Sequence, residues 1–413
     1  MDVDDPHPDD RWVRYVAGSD VDGHVVSIVR AFRIVDGGTG AAGPLAERLD
    51  VDPTSFGVSA VVEEEPPVVL RPDGAGVRLV AGAEDLAALA PDELPPAVLR
   101  VVCQRELRRE PGEGPSAWIH GAAVTDGTRT ILVVGESGSG KSTITAHLCA
   151  RGFELVTDEQ FRVLPTAGAV ASFTRPVLLK GGSTQFAPAA LQPLLGERPS
   201  LVRPEELGAT WAISGRPTDI VFPRRVEGAP AELLPLGSSE AARRLALSSL
   251  DLGGRPEPAL AAIGWLAATA PAIDLAYASS AAAVDRLLEG PQVPLAATDD
   301  PVGRGELLDL TDDPTAVGVH RDPAVLTLAL PDGAVLLHRS TRAVVRLNPA
   351  ALSVWVALPA VPGPGDEIGP LLDDLVDLGL AVRVDPDRAA RRRRLAVALH
   401  ADPPASGRTV PEG

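Results

Sequence analysis

The octapeptide Gly135-Glu136-Ser137-Gly138-Ser139-Gly140-Lys141-Ser142 fits the pattern G-x-x-x-x-G-K-[ST], and it constrains this chain more than any other stretch. It follows the apolar run Ile131–Val134 and precedes TITAHLCARG, so a strand, a glycine loop and a helix stand in succession. That order belongs to an α/β fold with a phosphate site at the sheet edge. Glycines let the loop wrap an anion with its N–H groups, and the helix that follows turns its positive end toward the same place. The expected ligands are a nucleoside triphosphate and Mg2+, held by Gly135, Glu136, Ser137, Gly138, Ser139, Gly140, Lys141, Ser142 and Thr143. Lys141 reaches the β- and γ-phosphates, and Ser142 reaches the magnesium ion.

The base composition sharpens the point. The chain has 36 arginines but only two lysines, Lys141 and Lys180. An ammonium on a flexible stem is not interchangeable with a planar guanidinium, so both positions draw attention. With 413 residues, two to four domains are expected, and 45% hydrophobic against 23% charged residues suits ordinary packed cores. Forty Gly and forty Pro predict many loops. A net charge of -18 and only 3% aromatic residues argue against nucleic acid as a partner, and no run of eighteen apolar residues predicts a membrane span. Cys103 and Cys149 stand apart, without the spacing of a zinc site or a disulfide framework. The acidic start MDVDDPHPDD lacks the pattern of a signal or transit peptide, and a cytoplasmic location is expected. An oligomer is compatible with all of this.

Composition shifts divide the chain into residues 1–115, 116–290, 291–323, 324–385 and 386–413. The first stretch reads as β-rich with one helix over Pro95–Glu110, and Pro111–Pro115 as a short linker. The second carries the phosphate loop and ends in an Ala-rich stretch, Pro258–Leu288, predicted to be helical. The Pro/Asp/Gly-rich residues 291–323 read as an interdomain linker. The fourth stretch reads as three short strands, a helix over 348–358 with Asn348 as N-cap and Pro349 at N1, and a second helix from Pro370 to Leu378 stopping at Gly379. Arg391–Arg394 fall in a basic tail.

After the phosphate-loop helix, Gly152 ends one element and Phe153–Thr157 returns as a strand that delivers Asp158 and Glu159 at its C-terminal end. Ligands of open α/β sheets collect at that edge. Adjacent carboxylates in extended backbone point to opposite sides, so one can face a metal ion and the other an incoming hydroxyl.

The segments IHGAAV (119–124), GESGSGKS (135–142) and RGFELVTDE (151–159) resemble the HPr kinase/phosphorylase family and its related kinases. The resemblance implies an ATP-dependent serine kinase. It makes Asp158 the base that accepts the seryl proton and Glu159, where the founding enzymes carry a second Asp, a metal ligand. His120 would sit beside the reacting phosphate, with Lys141 and Ser142 as above. The later substrate-binding signature of the founding enzymes is not recognisable. TRPVLLKGG (174–182) and IVFPRR (220–225) also look like stretches of the related kinases. Arg175, Lys180 or Arg224 is then the candidate to neutralise charge on the phosphoryl group in transfer.

Further on, VVRLNPAALSVWVAL and LLDDLVDLGLAV resemble the PqqD family, small winged-helix-like modules that bind the leader segment of ribosomally made precursor peptides. That family adds the peptide as a strand at the sheet edge. The family usually fits two helices between positions matching Leu358 and Gly379, where this chain has PAVPGPG and room for one. The combined expectation is an α/β chain with a P-loop kinase domain of the HPr kinase type, a β-rich N-terminal region and a small PqqD-like domain. Its partner is a precursor peptide, captured by its leader and phosphorylated on serine. The alternatives are a nucleotide-gated, non-catalytic peptide chaperone and a small-molecule kinase.

Overall fold

A computed structural model describes residues 11–56, 62–109, 114–180, 186–189, 191–192, 200–290, 305–312, 316–361, 368–388 and 390. The acidic tail 1–10, much of the strand-like run 58–62, most of the Pro111–Pro115 linker and Arg391–Arg394 lie outside them. The chain is mixed α/β, with several sheets.

The N-terminal region forms a five-stranded sheet in the order β1 (Arg11–Val21), β2 (His24–Asp36), β3 (Val62–Asp73), β4 (Gly76–Ala81), β5 (Glu84–Leu89). Two helices, α1 (Ala42–Leu49) and α2 (Leu94–Arg108), cover it, where one was expected. The helix not expected is α1, whose first residues include Gly43-Pro44, a pair that reads locally as a turn. The start of α1 is tied down from upstream, where the Asp36 carboxylate accepts hydrogen bonds from the backbone N–H groups of Gly38, Thr39 and Ala42.

A nine-stranded sheet makes the centre. Its strands are β6 (Ala117–Thr125), β7 (Thr130–Val134), β8 (Glu154–Thr157), β9 (Gln160–Leu164), β10 (Ala169–Ala171), β13 (Ser214–Gly215), β14 (Asp219–Arg225), β15 (Glu232–Leu236) and β16 (Ala272–Tyr277). They run in the order β13-β10-β9-β6-β7-β14-β16-β15, with β8 on β6. A separate ribbon pairs β11 (Val177–Leu179) with β12 (Ser200–Val202). Strands β7, β14 and β16 are parallel, so their C-terminal ends, at Val134, Arg225 and Tyr277, share one edge. One face is covered by α3 (Lys141–Cys149) and α6 (Ser280–Glu289), the other by α4 (Ser238–Leu247) and α5 (Pro256–Thr269). The Ala-rich stretch is therefore not one helix: β16 interrupts it. Pro271 ends the helical run, and Ile273, Leu275 and Tyr277 are buried on one face of a strand held between parallel β14 and antiparallel β15.

The C-terminal part has a four-stranded sheet, β17 (Glu306–Leu308), β19 (Val325–Leu330), β20 (Gly333–His338) and β21 (Val344–Leu347). A second pair joins β18 (Gly318–Arg321) to β22 (Ala381–Val384), and the helices are α7 (Pro349–Val356) and α8 (Gly369–Asp377). Asn348 caps α7 through a bond from Ala351 N at 2.8 Å. The stretch 291–323 is thus not a linker throughout: it supplies β17 and β18, and only 291–304 and 313–315 of it fall outside the described residues. Strands of three and four residues among Pro, Asp and Gly carry too short a pattern to be read locally.

Nor is this part loosely tethered. Leu328, Leu330, Val335 and Leu337 of its sheet are buried in one cluster with Leu245 of α4 and Leu260 and Ile263 of α5. Asp332, in the β19–β20 turn, accepts hydrogen bonds from the Ser239 N–H at 2.7 Å and the Ser239 hydroxyl at 3.0 Å, capping the start of α4 from outside. The N-terminal region is docked as firmly. Strand β1 runs beside residues 172–174, with Gly18 N to Ser172 O at 2.7 Å and Thr174 N to Val16 O at 2.8 Å, and Phe173 is buried in the N-terminal core.

Candidate active site

At the shared edge of β7, β14 and β16 the chain turns into the loop 135–140. Gly138 and Gly140 have φ of +89° and +94°, the left-handed region that glycine enters without strain. A side chain at Gly140 would also collide with the Tyr277 hydroxyl. That hydroxyl donates to the Ser139 carbonyl at 2.7 Å, so the end of β16 braces the loop. Lys141 begins α3 and is buried, with Nζ 2.7 Å from the Gly135 carbonyl and 3.1 Å from that of Glu136. Burial lowers its pKa, against the opposing pull of Asp158 and Glu159. Thr143 is buried, while Glu136, Ser137 and Gly138 are exposed.

The loop opens on a cleft of about 770 Å³. Both lysines of the sequence line it: Lys180, just past β11, donates to the Ser137 hydroxyl at 2.9 Å. Two residues 39 positions apart in sequence, and the only ammonium groups besides the chain terminus, meet on one loop.

Asp158 and Glu159 sit where β8 gives way to β9, both of which pair with β6. They do point to different surroundings. Asp158 is buried; its Oδ2 accepts from Leu178 N at 2.9 Å, and its Oδ1 has no hydrogen-bond partner. Burial drives its pKa up to about 7, against the Leu178 N–H and the Arg175 guanidinium, which lower it. Glu159 is partly exposed, 3.2 Å from Arg175 Nη2 and 3.7 Å from His120 Nδ1. His120, on β6, also lines the cleft; burial and then the Lys141 charge push its pKa down, favouring the neutral imidazole.

The three candidate cations separate cleanly. Lys180 contacts the glycine loop through the Ser137 hydroxyl. Arg175 is buried between Glu159 and the Cys103 thiol, its Nη1 3.2 Å from Sγ. Arg224 is exposed, 3.9 Å from Asp274, and does not line the cleft; its neighbour Arg225 does, stacked over the Phe186 ring at 3.7 Å. Sequence reasoning missed Arg225, Tyr277 and the α2 residues. The first two carried one usable signal, their place at the C-terminal ends of parallel strands.

Among the described residues no group of three His, Cys, Asp or Glu side chains is placed to hold a metal ion. This donor set still fits magnesium, which is commonly held by one or two carboxylates together with substrate phosphates. The unpartnered, buried Oδ1 of Asp158 and the carboxylate of Glu159 are the available oxygens, beside the Ser142 hydroxyl. No family model matches the chain, and no curated protein matches it.

Proposed function

We propose that this chain is an ATP-dependent serine kinase of the HPr kinase type, acting on a precursor peptide whose leader is captured by a PqqD-like, winged-helix-like C-terminal part. The observation that carries the kinase half is the convergence of both lysines on a glycine loop beside a buried carboxylate, Asp158, one of whose oxygens is bound by the Leu178 N–H. Lys141 and Lys180 hold the phosphates; Ser142 and Glu159 hold magnesium, which supplies charge neutralisation when bound. The seryl oxygen attacks the γ-phosphorus, the bond from that phosphorus to the bridging oxygen breaks, and ADP departs. Asp158 takes the seryl proton, for which a carboxylate with a pKa of about 7 is well matched near neutral pH. Arg175 balances the negative charge and fixes Glu159. His120 packs beside the acid pair.

A second reading of the pair has support in the geometry. Glu159 is the more accessible of the two and lies by His120 and Arg175, so it can serve as the base while Asp158 serves the metal. Incubation with Mg2+, ATP and candidate precursor peptides, read by mass spectrometry, tests the activity: one added phosphate on serine is expected. Nucleotide binding with no phosphorylated peptide favours the chaperone alternative, and phosphate on a small molecule favours the other.

A further inference from the structure

Helix α2 belongs to the N-terminal region, yet one of its faces is a wall of the phosphoryl cleft. Glu93, Pro96, Arg100, Cys103, Gln104 and Leu107 line it, at the three- and four-residue spacing that keeps side chains on one side of a helix. This face meets the centre from the acid-pair side, because Cys103 touches Arg175 and Arg175 touches Glu159. Lys141, Lys180 and Tyr277 approach from the phosphate loop.

The arginines of α2 divide by face. Arg105 lies 4.0 Å from Glu65, Arg108 3.8 Å from Glu84, and Arg109, just past the helix, pairs with Glu63 and Glu65. Arg100 is exposed and forms no hydrogen bond or ion pair among the described residues. One turn on, Gln104 Oε1 also lacks a hydrogen-bond partner. Glu93, two turns back, is engaged with Ala90 N at 2.8 Å. Arg225, across the same cleft, is stacked over the Phe186 ring, whereas the Arg100 guanidinium has no partner among the described residues. Its planar fork matches a carboxylate through two parallel hydrogen bonds.

We propose that Arg100 is a specificity-determining residue that selects acceptors carrying a carboxylate close to the phosphorylated serine, an acidic peptide. The inference rests on the kinase reading above and gives the N-terminal region its task, to form the acceptor wall of a cleft whose other wall holds the nucleotide.

The test uses the full chain and labelled seryl peptides of one core sequence flanked by Asp, Asn or Lys, with binding read by fluorescence anisotropy. The Asp peptide is expected to bind about tenfold more tightly than the Asn peptide. Arg100→Gln should bring the two within about twofold, and Arg100→Glu should turn the preference toward Lys. Equal binding of the Asp and Asn peptides to the unmodified chain overturns the proposal, as does a preference that survives Arg100→Gln. Weakened binding of a fluorescent ATP analogue in that variant, with the preference kept, instead assigns Arg100 to the nucleotide. Undiminished binding of the analogue by Lys141→Ala sinks the kinase reading alone and leaves the peptide preference readable.

Discussion

The Sγ of Cys103 lies 3.2 Å from Nη1 of Arg175, so a helix of the N-terminal region touches the buried guanidinium that holds Glu159. Because the other guanidinium face is committed to Glu159, Arg175 has a fixed orientation and no solvent to reorganise as charge builds during transfer. Arg175→Ala should lower kcat by about 10²-fold or more. Arg175→Lys should recover little, since one ammonium cannot reach both partners. Steady-state kinetics with saturating ATP decide it, and a loss confined to the KM for ATP would place Arg175 on the nucleotide instead.

Lys141→Ala should abolish phosphoryl transfer while the protein remains folded, as judged by circular dichroism. The amine's hydrogen bonds go to loop carbonyls, so removing it leaves no side-chain hydrogen-bond partner unpaired. Full turnover in the folded variant would exclude the loop from the mechanism.

The pH dependence of Asp158 follows from its burial. Its pKa stands at about 7, well above the ordinary carboxylate value, so the folded state favours the protonated acid. The stability this gives is complete below the unfolded value of ~3.9 and is lost as pH rises through 7. Stability should therefore fall between about pH 4 and pH 8 by roughly a few kcal/mol, and Asp158→Asn should flatten that slope. Activity runs the other way, rising with an apparent midpoint near 7 as the base ionises. Asp158→Asn should cost ~10²–10⁴-fold in kcat with ATP binding retained, whereas Glu159→Gln should raise the magnesium requirement. The opposite pattern assigns the base to Glu159.

Tyr277→Phe removes one hydrogen bond to the Ser139 carbonyl and leaves the ring in place. A net loss of about 1 kcal/mol is expected, seen as a several-fold weaker affinity for ATP in a calorimetric titration. No change would make the tyrosine a packing residue only.

Much of the candidate site was legible because its logic is local: a loop, the helix that follows it, and an acid pair at the next strand end lie within 135–159. Asp158 and Glu159 do have different partners, but they sit in a bend between β8 and β9 and both line the cleft, so the strand alternation expected of them is not what separates them. What sequence could not show was set by distant partners. Strand β16 is a strand because β14 and β15 flank it, although its alanines suit a helix. Strand β17 exists through pairing with β19. The cleft wall on α2 depends on the docking of β1 beside residues 172–174, and no periodicity in the helix announces that.

Asp332 accepts two bonds from Ser239 across the boundary between the central and C-terminal parts. Asp332→Ala should lower stability by about 1–2 kcal/mol, as the loss of a helix cap does, measured by urea denaturation. Truncation at residue 318 should do far more damage, because it strips Leu328, Leu330, Val335 and Leu337 from the core they share with α4 and α5. Leader capture is better tested on the intact chain: removing the leader from the peptide should raise KM with kcat little changed. Equal kinetics with and without leader would make the C-terminal part structural.

A sheet that shares its core with the central domain cannot swing. If a leader adds to that sheet, the span from its docking strand to the phosphoryl cleft is the same in every molecule, and the protein works as a ruler. Substrates would be sorted by how many residues lie between leader and serine: peptides shortened in that interval fail to reach, and lengthened ones lose efficiency gradually as the connecting loop grows.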